Sequence, residues 1–509
     1  MSTNPFAPTY IDQSIAEYRN NPLLEALPPI LSEKQVATKM LLRPSFDAAE
    51  RELPSEERWH LLARLKHLVV PRRPIFYEVE RTISRLIRAG YIVRNPLDPG
   101  TWRMVYNAQD LSRCERIDPQ LVLTESQALL VGLSGSGKTT CANAILRTYP
   151  QQVIQHTAWH EHKIPITQIV WIKVTCPKNG SISSFCREFA RQVDLALHTG
   201  GKYEKEFSKS KMREDMLEGA MRQIAATHFL GILFIDEIQR LNLSKTGGSA
   251  PLLHFLQDLR TSLRVPVVEI GTYKAAKLFS REMKDARRAS ENGLLDFRRP
   301  LKRNKEWDDF VRRIWTYQWV QNPVNPDDDM LTLIFDLTQS IPDVVVLLFK
   351  LAQQRAMWDG SETINTKLLE QTYDESLTLM HAALNELRKN TVESLSRYED
   401  LLPPEEMLAD LTGASEEEDS VQDHLEQLYP LPGSAQDAHN QRKKAEAATA
   451  QVKNVIEEEA NNSASSIPPA DKNYKDLRDF ANDPDSCEAL KQHGIINDDP
   501  FGLRSKPAP

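Results

Sequence analysis

Four short runs of apolar, largely β-branched residues punctuate the middle of the chain: residues 128–133 (ALLVGL), 168–176 (QIVWIKVTC), 231–238 (GILFIDEI) and 265–272 (VPVVEIGT). Between them the apolar positions fall three and four apart, the period of an amphipathic helix. Near-continuous apolar strands alternating with helices predict a parallel sheet covered on both faces. After about residue 300 the strand signal ends, and residues 305–320, 329–340, 342–358 and 363–389 all read as helices, which predicts a separate all-helical lid. Trp307, Trp315 and Trp319 fall at roughly helical spacing and are expected in the core of that lid. Toward the N-terminus, residues 14–31 give an amphipathic stretch stopped by Pro28 and Pro29, and Ile83, Leu86, Ile87 and Tyr91 predict a helix ending near Gly90.

The pattern fails beyond residue 400. Segments such as 411–420 (LTGASEEEDS) and 456–470 (IEEEANNSASSIPPA) are poor in aromatics and rich in Ser, Pro and acids, so they bury too little apolar surface to offset their ordering entropy. A mostly disordered tail is expected there, either a plain solvated tail or a carrier of short segments that fold on a partner.

Charge sharpens this division. The chain has 71 Asp/Glu and 63 Lys/Arg; residues 401–509 hold 22 and 10 of them, which leaves 49 and 53 for residues 1–400. A net charge of −8 therefore hides a mildly basic body and an acidic tail, so nucleic acid is not excluded as a partner of the body. With 40% hydrophobic and 26% charged residues, and apolar stretches well short of the roughly 18 residues of a spanning helix, no membrane partner is expected. The first 14 residues lack a basic and then apolar leader, and Cys114, Cys141, Cys176, Cys186 and Cys487 are scattered without zinc spacing. These features predict a cytoplasmic protein with reduced thiols. His160 and His162 have no carboxylate or cysteine at fitting spacing and carry no metal reading.

The chemistry concentrates in two places. Residues 132–139 (GLSGSGKT) follow an apolar run and open a helical stretch, the setting of a phosphate-binding loop. Gly132, Ser134, Gly135, Ser136 and Gly137 would curl the backbone so that successive N–H groups face phosphates, with the helix dipole behind them. Lys138 would reach the β/γ-phosphates of ATP, Thr139 would hold Mg2+, and Thr140 completes the loop. Farther on, the apolar run 231–237 delivers Asp236 and Glu237 at its carboxyl end, where ligands of open α/β sheets bind. Asp236 would join the Mg2+ shell and Glu237 would polarise the attacking water. Thr272, at the end of the fourth run, is either a γ-phosphate sensor or a hydroxyl bonded to its own loop. Tyr91 with Arg94 is a candidate adenine-side wall, since both side chains stack on bases; a packed helix end is the alternative.

This order of parts resembles the AAA+ P-loop ATPases, an α/β fold whose site is completed by an arginine from a neighbouring subunit. The segment 281–313 holds 11 Lys/Arg against 7 Asp/Glu. Arg287 and Arg288 are the first candidates for that trans arginine and Arg298 and Arg299 the second, a solvated or DNA-facing surface being the alternative. The lid helix that should offer a second sensor arginine carries Asp343 and Lys350 instead.

Segments 17–29 (EYRNNPLLEALPP), 80–96 (ERTISRLIRAGYIVRNP), 131–140 (VGLSGSGKTT), 179–186 (NGSISSFC), 235–241 (IDEIQRL), 245–249 (KTGGS) and 264–275 (RVPVVEIGTYKA) resemble the TnsC family, AAA+ regulators of heteromeric cut-and-paste transposons related more distantly to TniB and MuB. The likeness covers roughly residues 10–400. It implies an ATPase that oligomerises as a ring or filament on double-stranded DNA without reading sequence. It also implies partners: a target-selector protein, and the transposase and endonuclease subunits it activates, with ATP hydrolysis as timer. On this reading residues 1–70 form an N-terminal partner-binding extension, 71–300 the ATPase core, 301–400 the lid, and 401–509 the tail that docks partners. Lys178 and Lys245, in small polar turns after two of the strands, are candidate DNA contacts or ordinary surface lysines. An origin-recognition-like initiator or loader, and a nucleotide-gated scaffold with negligible turnover, are the rival readings.

Overall fold

The structure is a computed structural model that describes residues 6–72, 74–108, 127–178, 181–208, 213–240, 264–279 and 292–391, with a few isolated positions up to 401. The chain divides into two units, Met1–Gly413 and Ala414–Pro509, and every described residue lies in the first.

At its centre is a parallel five-stranded sheet. The strands β1 (Gln127–Val131), β4 (Trp171–Thr175), β5 (Ile232–Asp236), β6 (Val267–Ile270) and β7 (Leu294–Asp296) lie in the order β4-β5-β6-β1-β7. Every residue of β1, β5 and β6 is buried, which is why these strands read as unbroken apolar runs rather than alternating ones. Leu130 lies opposite Ile270 and Asp236 opposite the same Ile270, so β6 separates β1 and β5 and all three end at one edge.

Two features depart from the expected sheet. The run 168–176 is broken at Val170: its first part ends β3 (His162–Ile169), which pairs antiparallel with β2 (Val153–Trp159) in a separate hairpin. The hairpin strands mix buried and exposed positions, with a register shift between His156 and Ala158, and His160 with Glu161 makes the turn, His160 at φ 46. The fifth strand, β7, is only three residues long and sits inside the arginine-rich segment, too short to show a period.

Helices cover the sheet, among them Ile75–Ile92, Lys138–Leu146, Ile182–Leu197 and Glu214–Thr227. The lid follows as Lys305–Trp315, Asp328–Thr338, Pro342–Trp358, Thr366–Ser376 and Thr378–Lys389. Asn304, Asp327 and Asn365 each accept a backbone N–H at the first turn of the helix they precede, which fixes three of these starts. The stretch expected as one helix over 363–389 is two, interrupted at the buried Leu377. Trp307, Trp315 and Trp319 are buried, as their spacing predicts. Among the described residues no single helix is long and apolar enough to cross a membrane.

The first 70 residues do not hang free. Gln155 N donates to Phe6 O and Asn21 Nδ2 to Tyr91 O, which dock the start of the chain on the hairpin and on the Ile75–Ile92 helix. Farther along, Arg51 Nε donates to Gln318 O and Trp319 Nε1 to Glu50 Oε2, so the stretch 50–70 packs on the lid.

Candidate nucleotide-binding site

The carboxyl edge of the sheet opens into a cleft of about 390 Å3 between sheet, lid and the stretch 65–76. The loop after β1 forms its floor. Gly135 and Gly137 take φ +78 and +97, in the left-handed region that glycine enters at little cost. Gly135 is also closely approached: a Cβ there would lie 3.0 Å from Asp343 Cβ and 3.1 Å from Ile341 Cγ2. The lid helix Pro342–Trp358 thus starts directly on the loop, and Asp343 N donates to Gly135 O at 3.2 Å.

Lys138 is buried, its Nζ donating to Gly132 O (2.9 Å), Leu133 O (2.7 Å) and Ser136 Oγ (3.3 Å). The ammonium is therefore folded over its own loop, within the cradle where a phosphate would meet it. One residue on, Thr139 Oγ1 donates to Asp236 Oδ1 at 3.2 Å, which joins the loop after β1 to the end of β5. The other oxygen of that carboxylate, Oδ2, faces Lys173 Nζ of β4 at 3.0 Å, and the same amine donates to Asn143 Oδ1 at 2.9 Å. A hydroxyl beside a carboxylate fits Mg2+, which keeps its waters and takes its remaining oxygens from nucleotide phosphates. Among the described residues no three His, Cys, Asp or Glu side chains form a metal cluster of their own, His160 and His162 included.

Glu237 stands at φ +61, its N–H donating to Asp236 Oδ1 at 3.0 Å. Its Oε2 accepts from Gln239 Nε2 at 2.9 Å and lies 3.5 Å from Arg240 Nη2. Thr272 lies just past β6 on the cleft wall, and Gly132, Ser134, Ser136 and Thr140 belong to the loop and the helix it opens.

The apolar end of the cleft is made by residues the sequence did not point to. Leu65, Leu68, Val69, Val70 and Phe76 come from the stretch before the sheet, and Phe310, Ile314 and Val346 from the lid. Arg72 joins them and anchors this wall on the phosphate loop, its Nη2 donating to Ser136 O at 2.7 Å; burial holds its guanidinium below the usual arginine range. The only advance signal was the apolar run at 68–70 ahead of two prolines, and it fell on the expected domain boundary.

Tyr91 and Arg94 are corrected. Both are almost wholly buried, and Tyr91 Oη donates to Phe229 O (2.9 Å) while Arg94 Nη1 donates to Leu230 O (2.6 Å). Those carbonyls precede β5, so the pair closes the end of the sheet opposite the phosphate loop. The Arg94 guanidinium stacks on Tyr91 itself, 5.0 Å from the ring centre, which leaves neither face for a base. Packing wins because Gly231 brings its backbone so close that a Cβ there would sit 2.6 Å from Tyr91 Oη.

Of the second-choice arginines, Arg298 pairs with Asp296, and Arg299 is turned inward to Leu387 O (2.7 Å) and Asn390 Oδ1 (3.1 Å), where burial lowers its pKa to about 10. Lys178 is exposed on the turn after β4. Arg287, Arg288, Lys245 and the tail beyond 401 lie outside the described residues. The thiols of Cys141, Cys176 and Cys186 are free and buried, and burial pushes that of Cys176 up to about 12.

Residues 123–279 match the AAA domain family, and both the loop 132–139 and the Asp236–Glu237 pair fall inside that match. None of the curated proteins matches the chain. Among solved structures it is similar to the Walker-type ATPase PABY2304 of Pyrococcus abyssi (15% identity, TM-score 0.33, covering 52% of this chain and 72% of that one). It is also similar to the ORC2 protein of Aeropyrum pernix (16% identity, TM-score 0.35, covering 49% and 62%). A third is a Drosophila ORC bound to DNA (12% identity, TM-score 0.33, covering 70% and 73%). Likeness at this level gives no ligand, partner or activity to this chain.

Proposed function

We propose that this protein is an ATP-hydrolysing regulator of DNA transposition. It assembles on target duplex DNA in the ATP state, links a target-selecting protein to the transposase, and uses hydrolysis as the timer that dissolves the assembly. The observation that supports the ATP reading best is the convergence of Lys138, Thr139, Asp236 and Glu237 on one cleft, with Thr139 and Asp236 in direct contact.

In this reading the loop 132–139 holds the phosphates and Lys138 swings from its own carbonyls onto the β/γ oxygens. Thr139 and Asp236 would hold Mg2+, whose charge would favour the transferring phosphoryl group. Glu237 orients the attacking water and takes up its proton. The apolar wall formed by Leu68, Val70, Phe76 and Ile314 receives the base and excludes water from that end. Arg287 or Arg288 of a neighbouring copy completes the site, which makes turnover depend on assembly.

The transposition role rests on the TnsC-like segments of the sequence, above all residues 17–29 and 80–96, which lie outside the ATP site. A cytoplasmic location, DNA contact through Lys178 and Lys245, and docking of partners on the acidic tail belong to the same reading.

The test is binding to random-sequence duplex DNA at fixed salt with ADP, with a slowly hydrolysed ATP analogue, and with Lys138→Ala, imaged by electron microscopy. Ordered rings or filaments are expected only with the ATP analogue and unaltered Lys138. Glu237→Gln should lock the complex on DNA when ATP is supplied. DNA binding that ignores nucleotide would remove the proposal, and a Glu237→Gln protein that leaves DNA like the wild type would leave only a nucleotide-gated scaffold.

A further inference from the structure

Gln239 occupies the short turn Ile238–Arg240 that follows Glu237, and its carboxamide touches two parts of the site at once. Its Oε1 accepts the backbone N–H of Thr272 at 3.2 Å, and its Nε2 donates to Glu237 Oε2 at 2.9 Å. The orientation of the amide is fixed by chemistry: a backbone N–H only donates, so the oxygen must face Thr272, and the NH2 must then face the carboxylate.

Two further observations show that this arrangement is built. Glu237 holds φ +61, a left-handed conformation unusual for a residue with a side chain, and its backbone is tied on both sides, N–H to Asp236 Oδ1 at 3.0 Å and C=O to Arg240 N at 2.9 Å. Opposite it, the backbone at Gly271 leaves no room for a side chain, since a Cβ would lie 2.7 Å from Gln239 Oε1 and 2.5 Å from Ala275 Cβ. Glycine at 271 clears the space into which the Gln239 amide reaches.

We infer that Gln239 is a positioning residue for ATP hydrolysis, holding the Glu237 carboxylate at a fixed place relative to the end of β6 where Thr272 stands. The inference rests on the hydrolytic reading proposed above. Without the amide, the Glu237 carboxylate would be left to Arg240 Nη2 at 3.5 Å, and that guanidinium is also drawn toward Cys176 O at 3.4 Å. The carboxylate would then be turned from the place where water attacks, while the phosphate loop and the apolar wall stay intact.

Gln239→Leu removes both hydrogen bonds at similar size, and Gln239→Glu keeps the acceptor for Thr272 while replacing the donor to Glu237 by a second carboxylate. Full-length protein carrying either change should bind a fluorescent ATP analogue within about twofold of wild type, with KM also little changed. Its kcat should fall by about tenfold to a hundredfold, the cost of misplacing a catalytic group by an ångström or so. An unchanged unfolding midpoint separates this from loss of fold. A kcat within twofold of wild type in both variants overturns the inference, as does a parallel loss of kcat and nucleotide affinity, which would mark a merely structural support. A wild-type protein that does not hydrolyse ATP, or a Lys138→Ala variant as active as wild type, sinks the ATPase reading itself and this role with it. Activity abolished by Lys138→Ala but intact in both Gln239 variants removes only the role of Gln239.

Discussion

Arg58 and Glu362 form a doubly hydrogen-bonded ion pair across 304 residues of chain, with both Nη–Oε distances at 2.7 Å. Arg58 is only 2% exposed and also donates to Leu53 O and Trp319 O. The pair therefore clamps the N-terminal stretch to the loop after the lid helix Pro342–Trp358. A few residues beyond the clamp, Leu65, Leu68 and Val70 form the apolar wall of the cleft. Removing the carboxylate by Glu362→Ala leaves a buried guanidinium uncompensated, which costs about 3–5 kcal/mol. Denaturant unfolding should show that loss and nucleotide affinity should drop with it. A stability change below about 1 kcal/mol would mean that the clamp carries nothing.

The same pair gives a pH dependence of defined sign. Hydrogen bonding from Arg58 holds the Glu362 carboxyl below its usual range. Its contribution is thus fully present above the ordinary glutamate pKa and is lost as pH falls through the lowered value. Wild-type stability should decline on that acid limb, and Glu362→Gln should be less stable at neutral pH but flatter below it. Identical acid limbs in the two proteins would assign the acid sensitivity to other carboxylates.

How much of this was legible in the sequence depends on how local each feature is. The loop 132–139 and the Asp236–Glu237 pair could be read because strand, turn and acid adjoin along the chain, and the parallel sheet makes everything at its carboxyl edge converge. The apolar wall could not, because Val70 and Ile314 meet only after the lid has folded back. Tyr91 and Arg94 misled for the same reason: an aromatic and a guanidinium near a helix end have the chemistry of a base platform, but only the fold shows that they face the opposite end of the sheet. Gln239 lies two residues past Glu237 and Lys173 within the run 168–176, yet neither spacing nor composition tells which carboxylate each will meet.

Lys173 yields a prediction about the metal. Its amine lies 3.0 Å from Asp236 Oδ2, a cation competing with Mg2+ for the same carboxylate. Lys173→Met should lower the Mg2+ concentration that half-saturates nucleotide binding by several-fold, while Lys173→Arg should stay near wild type. A higher Mg2+ requirement in the Met variant would show instead that the amine is needed to hold Asp236 in place.

Tyr91→Phe tests the packed helix end, since it removes the buried hydroxyl and keeps the ring. Loss of the hydroxyl leaves Phe229 O without its buried donor, for which about 1–3 kcal/mol of stability is expected to be lost. Affinity of the folded protein for nucleotide should not change. A variant of full stability would show that the Tyr91 hydroxyl carries nothing at that end of the sheet.

The tail supplies the last prediction. The chain divides at Gly413, and the described nucleotide site draws on no residue beyond Val346 for its walls, so deletion of residues 414–509 removes one whole unit and none of the cleft. ATP hydrolysis by the shortened protein should stay within about twofold of wild type. Under the transposition reading, capture of transposase should be lost, because the acidic segment that tethers short partner motifs has gone. Residues 401–509 carry 22 acids against 10 bases, so the wild-type capture should also weaken as salt rises. Transposase retained at wild-type level by the shortened protein would move the docking surface onto residues 1–413, and loss of hydrolysis would show that the tail supports the ATPase unit itself.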